Sequence, residues 1–227
     1  SMGLVHVWAP AVMPWLANGL TQTPGLRGLA KAIAGVHPDR PLPSLAGRTF
    51  RQSWRPADTK RPVRALLWAD TFNNHFTPQS LLAAAQVLER SGHEVMVSPP
   101  GLCCGRPFYD FGRLEAARRY LAKILDRLTP LIDDRTWLVG IEPSCLSVFR
   151  DELLRFFPDD SRAHLLSERA LSLAGFLNRH GHAPVHLDRP VAVHGHCHQS
   201  SVNGTEAELA MLKSAGGQVD LLDDGCC

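Results

Sequence analysis

Six cysteines carry most of the chemistry this chain could do: the adjacent pair Cys103-Cys104, the single residues Cys145 and Cys197, and a second adjacent pair, Cys226-Cys227. None lies in the first hundred residues, and clustering of this kind favours ligands over scattered core thiols. Six in 227 residues is too sparse for a small secreted disulfide scaffold. Adjacent Cα atoms are only about 3.8 Å apart, so a bridge within either pair would need a strained ring. Both thiols of each pair are therefore available.

The surroundings of these thiols add donors. The first pair sits in Gly101-Leu102-Cys103-Cys104-Gly105, where flanking glycines let a cluster or substrate come close. Cys145 stands in Glu142-Pro143-Ser144-Cys145, and Asp70 opens Asp70-Thr71-Phe72-Asn73-Asn74. Asp70 before Thr and Asn also reads as a turn or cap residue, and Glu142 also as an ion-pair partner. Further on, His194-Gly195-His196-Cys197-His198-Gln199 places imidazoles around a thiol. Cys197 with Cys226 and Cys227 is the firmer set there, with His196 or His198 as a fourth ligand or a hydrogen-bonding neighbour. Any one histidine alone reads as structural.

Spacing restricts the metal. No CxxC occurs, which excludes the usual zinc-finger and ribbon patterns, and the cubane run CxxCxxCxxxCP is absent too. No GxGxxG fingerprint and no phosphate-binding loop is present, so the chain carries neither a dinucleotide nor a substrate site of those kinds.

Alternating strands and helices must position these residues. Val63 to Trp68 reads as a buried strand, Pro78 to Ser91 as an amphipathic helix stopped by Gly92, and Glu94 to Val97 as a second strand. Arg113 to Leu128 is a second helix, Trp137 to Ile141 a third strand and Ser144 to Phe157 a third helix. This order predicts a parallel α/β sheet. Sites in such sheets form at the C-terminal strand ends, so Asp70, Cys103, Cys104, Glu142 and Cys145 should converge.

The pattern restarts at Arg189-Pro190-Val191, as it began at Arg61-Pro62-Val63, with a helix from Thr205 to Ser214, Gly216-Gly217 and a closing Cys pair. The fold expected is thus two pseudo-symmetric α/β modules, residues 61–185 and 186–227, the second truncated. Before them, residues 1–60 form a Pro- and Gly-rich irregular arm with a short helix at Gly28 to Ala34. Its Trp8, Trp15, Phe50 and Trp54 are too apolar for a solvated linker. Ser1-Met2 looks like an expression remnant, and the chain is expected to be a fragment.

A net charge of +2, no Lys or Arg run and 7% aromatics leave no nucleic-acid footprint. With 44% apolar residues the chain can build a core, yet no run approaches the roughly 18 residues of a membrane span, and no signal peptide is evident. The expectation is a cytoplasmic chain, at most peripheral to the inner face of a membrane.

The cysteine pattern resembles the CCG cysteine-rich domain, which occurs twice in the B subunit of heterodisulfide reductase and in iron–sulfur subunits of glycolate and lactate dehydrogenases. Cys103-Cys104-Gly105 matches CCG, and Cys197 with Cys226-Cys227 matches the single Cys and CC of a second copy. Asp70 stands where the family has its single Cys, and Glu142 where it has the first Cys of CxxC. Asp70-Thr-Phe-Asn-Asn, Cys103-Cys-Gly-Arg-Pro, Glu142-Pro-Ser-Cys and His196-Cys-His-Gln are similar to the C-terminal region of fused FAD-linked D-2-hydroxyacid dehydrogenases.

That resemblance implies an electron-transfer region holding an iron–sulfur cluster, or a single Fe or Zn, at Asp70, Cys103, Cys104, Glu142 and Cys145 and at His196, Cys197, His198, Cys226 and Cys227. FAD and ferredoxin-type 4Fe–4S clusters would lie on partner domains outside this chain, and a quinone or carrier protein would accept the electrons. The chain alone would not turn over a hydroxyacid. The alternative is a degenerate CCG scaffold with no redox centre of its own.

Overall fold

The computed structural model describes residues 14–57, 59–183, 186–197 and 199–222. The described chain divides into two compact units, one of residues 14–55 with 71–82, the other of 56–70 with 83–222.

The first unit begins with α1 (Pro14–Gln22) and α2 (Leu26–Ala34), the latter taking in the short helix expected at Gly28 to Ala34. Gly35 ends α2 in the left-handed conformation, φ 67°, its N–H reaching the Lys31 and Ala32 carbonyls. Helix α3 (Phe50–Ser53) is held by a capping box between Thr49 and Gln52. The same unit contains α4 (Thr71–His75) and the start of α5 (Pro78–Arg90).

The second unit is built on β1 (Arg64–Leu67), β2 (Glu94–Val97), β3 (Thr136–Gly140) and β4 (Ala170–Ser172), all parallel in the order β2-β1-β3-β4. Ala65, Leu66 and Leu67 are fully buried because β1 has a neighbour on each side and a parallel sheet is covered on both faces. Strand β3 is buried along its whole length for the same reason. The parallel α/β expectation holds.

Helices α6 (Arg106–Asp110) and α7 (Leu114–Leu128) connect β2 to β3. Helix α8 (Pro143–Ser147), a π-helical turn over Val148–Glu152 and α9 (Leu153–Phe156) make up the third expected helix. The wider turn at its centre buries Phe149 and Glu152 together. The elements without a counterpart in the hydrophobic pattern include α10 (Ser161–Glu168) and α11 (Leu173–His180), with β4 between them.

Beyond these lies a second, two-stranded parallel sheet of β5 (Val191–His194) and β6 (Val219–Leu222), joined through a π-helical turn at Gln199–Asn203 and α12 (Glu206–Ser214). The order strand, short helical turn, helix, parallel strand repeats that of β1, α4, α5 and β2. Thr71 and Gln199 are 128 residues apart, and so are Pro78 and Glu206. Among the described residues no helix is long and apolar enough to cross a membrane.

Candidate functional site

The chain passes from β1 outward to β2, then crosses back to β3 on the other side of β1. Loops leaving β1 and β3 at their C-terminal ends therefore flank the point where strand order reverses, where open α/β sheets form their sites. Trp68 prolongs β1 by donating its N–H to the Val139 carbonyl at 2.8 Å, and its ring stands edge-on to Phe149 at 5.0 Å. Asp70, two residues on, is 2% exposed.

The Cys103-Cys104 loop follows β2 and is fixed by α7. The Cys103 N–H donates to the Tyr120 hydroxyl at 2.9 Å. Gly105, at φ 85°, caps α6, and a methyl built on it would lie 3.1 Å from the Tyr120 ring. Both the positive φ and the close ring require glycine there. Arg106, next in sequence, pairs with Glu152 of the π-helical turn, the two side chains 11% and 7% exposed, and with Asp110 at 3.2 Å.

Cys145 comes from α8, whose cap is Glu142: the carboxylate accepts the Cys145 N–H at 2.7 Å. Proline at the first helical position costs no hydrogen bond, because that N–H has no partner within the helix. Glu142 thus acts as a helix cap, a role the sequence suggested for Asp70 instead.

These elements bring Cys103, Cys104 and Cys145 together. The Cys103 and Cys145 side chains lie near enough to Cys104 to act on its ionisation. Cys104 and Cys145 are buried in the main hydrophobic cluster, and Cys103 packs against it half-buried. The Cys103 side chain is the largest influence on Cys104 and favours its thiolate. Cys145 and burial outweigh it and hold the thiol well above its usual range.

For Cys145 the Cys104 side chain favours ionisation, but burial and the nearby Glu142, Asp70 and Cys103 push it up to about 11. Placement in the first turn of a helix ordinarily lowers a thiol pKa; burial and the carboxylates win here. Burial, then the charges of Cys103 and Cys104, likewise raises Tyr120, against the Cys103 N–H.

The charges of Asp70 and Glu142 are felt at Cys145. The donor chemistry, three soft thiols beside two hard carboxylates, suits a thiolate-binding metal in type. Among the described residues, no group of three or more His, Cys, Asp or Glu is disposed to hold a metal ion as it stands.

Of the second expected set, only His196 and Cys197 fall among the described residues. Cys197 is exposed, His196 half-buried, and their carbonyls accept from Ser201 Oγ and Ser200 N–H at the start of the π-helical turn. His198, Cys226 and Cys227 lie outside the described residues.

Tyr120 and the Arg106–Glu152 pair were not singled out in the sequence. Tyr120 gave a faint signal, a polar-tipped aromatic beside the buried stripe Ala117, Leu121 and Ile124, which needs a partner for its hydroxyl.

Over 143 residues the chain is 30% identical to a protein of Bacillus velezensis. It is similar to lactate utilization protein A. The match covers 60% of this chain and 58% of that relative. Bacillus subtilis lactate utilization protein A is 30% identical over 139 residues, 58% of this chain and 56% of that protein, and the Bacillus thuringiensis protein is 27% identical over 143 residues. The match thus spans less than two thirds of the length of these curated relatives. No protein-family profile matches the chain, and no solved structure does.

Proposed function

We propose that this chain is an electron-transfer region of iron–sulfur type serving the oxidation of a 2-hydroxyacid of the lactate class, with Cys103, Cys104 and Cys145 as thiolate ligands. The observation that carries this reading is the grouping of Cys103, Cys104 and Cys145, from the loops after β2 and β3, near enough to act on one another's ionisation, with Asp70 and Glu142 acting on Cys145. Likeness to proteins named for lactate utilization supplies the substrate class. An FAD-binding domain, ferredoxin-type 4Fe–4S clusters and a quinone or carrier protein as acceptor belong to the same proposal, as partners outside this chain.

When bound, an iron–sulfur group or single iron would take up and release one electron at a time. The chain's own residues do the rest. Tyr120 and Gly105 hold the Cys103-Cys104 loop, the Glu142 cap sets the first turn of α8 and so the position of Cys145, and the apolar cluster keeps water from two of the three thiols. Asp70 and Glu142 stand as hard donors at the same locus. The repeat of β1 through β2 in β5 through β6 supports the division into modules 61–185 and 186–227, with His196, Cys197, His198, Cys226 and Cys227 as the corresponding set of the second.

Anaerobic reconstitution with ferrous iron and sulfide, followed by iron, sulfide and zinc analysis, tests the reading. Cys103→Ser and Cys104→Ser should each abolish loading, since each removes a soft ligand, and Glu142→Gln should weaken it less. Metal content unchanged in both cysteine variants would leave the second reading, a scaffold whose thiols only pack. Membership of Cys104 and Cys145 in the hydrophobic cluster favours that alternative.

A further inference from the structure

A cavity of about 410 Å³ lies at the C-terminal ends of β3 and β4, between α8, α11, the turn at Gln199–Asn203 and α12. Ile141, Leu146, Leu171, Leu173 and Met211 give it a chiefly apolar lining, and its volume falls within the roughly 300–1,000 Å³ of small-molecule pockets. It is separate from the thiols: Leu146 lines it, while Cys145, about 100° round the same helix, meets Cys104.

Its polar groups say what would enter. The two charged residues in the lining, Arg150 and Glu208, are opposite in sign, so a net charge on the ligand gains little. Asn203 lines the cavity and donates from Nδ2 to Ser147 Oγ over a long 3.4 Å. Ser147 gives its own hydroxyl proton to the Pro143 carbonyl at 3.1 Å, which fixes which amide atom of Asn203 donates. Asn203 Oδ1 is left buried, with no hydrogen-bond partner among the described residues. A buried acceptor without a donor is costly, and the amide, held by one long bond, turns about a broad torsion. Turning the amide about that torsion, with loss of the long bond to Ser147 Oγ, would bring Oδ1 to the cavity.

We propose that this cavity binds a neutral, ring-sized apolar molecule bearing a hydroxyl, whose O–H donates to Asn203 Oδ1 while its ring covers Leu146 and Leu173. The assignment does not depend on a metal at the thiols.

Two probes that differ only in that donor, 2-naphthol and its methyl ether 2-methoxynaphthalene, are titrated against the chain by fluorescence. In the unaltered protein 2-naphthol should saturate one site and bind at least about tenfold more tightly than the ether. Asn203→Leu should bring the two probes level. Ala207→Leu, which extends a side chain from the cavity lining, should lose both. Failure of 2-naphthol to saturate, equal affinity for both probes in the unaltered protein, or binding that survives Ala207→Leu would overturn the assignment.

Discussion

Raising the pH should destabilise the metal-free, reduced protein through Cys145. Its thiol ionises at about 11 in the folded chain against an ordinary 9.0. Between those values the unfolded chain gives up its proton and the folded chain keeps it, so stability falls as pH rises. The contribution is complete below pH 9 and lost through pH 11: about 2 kcal/mol by pH 11, and about 3 kcal/mol once both states are ionised. Cys104 adds to the loss, and two of the influences that raise it come from Cys145. Removing Cys145 should therefore flatten more than its own share of the profile. The assay is urea unfolding, under reductant and chelator, of the unaltered protein and Cys145→Ala at intervals from about pH 8 to about pH 11. Tyr120, raised chiefly by burial, contributes in both proteins and largely cancels in the comparison. The unaltered protein should lose about 2 kcal/mol more than the variant over this range. Parallel profiles would refute the picture of buried, mutually coupled thiols.

Two other substitutions probe the elements that place the thiols. A methyl added at Gly140 would lie 2.9 Å from Leu146 Cγ, so Gly140→Ala should cost about 1–3 kcal/mol by overpacking, and adding Leu146→Ala should cost less than the separate losses combined; additive losses in a double-mutant cycle would contradict that contact. Glu152→Leu removes the buried carboxylate that faces Arg106 and should cost about 3 kcal/mol; a loss under about 1 kcal/mol in urea unfolding would show that the pair is solvated.

Strands buried on both faces were the most legible part of the fold. Ala65-Leu66-Leu67 and Trp137-Leu138-Val139 are continuous apolar runs of strand length, and a run of that kind has one stable place, inside a parallel sheet. Strand β4 was not legible because three residues, Ala170-Leu171-Ser172, are too few to show a period, and Ser172 also caps the helix that follows. Two short helices beside it blurred the pattern further. The arm looked irregular because its prolines break any long period, although Thr49 and Gln52 already spelled a capping box.

The thiols were legible as chemistry, while their environment was not. Cys103 and Cys145 lie more than forty residues apart, and hydrophobic periodicity reports burial without saying which strands are neighbours. Strand order settles this: because β1 lies between β2 and β3, the loops leaving β2 and β3 reach one locus only by turning over the end of β1, where Asp70 stands. Glu142 shows the same gap from the side-chain end. Its residue type allowed a ligand or an ion-pair partner, and Pro143 at the first helical position makes it a cap whose oxygen holds the Cys145 N–H. A carboxylate fixed there repels a thiolate at Cys145, and this repulsion, with burial, keeps the proton on sulfur. The cap that positions the thiol therefore also favours its protonated form.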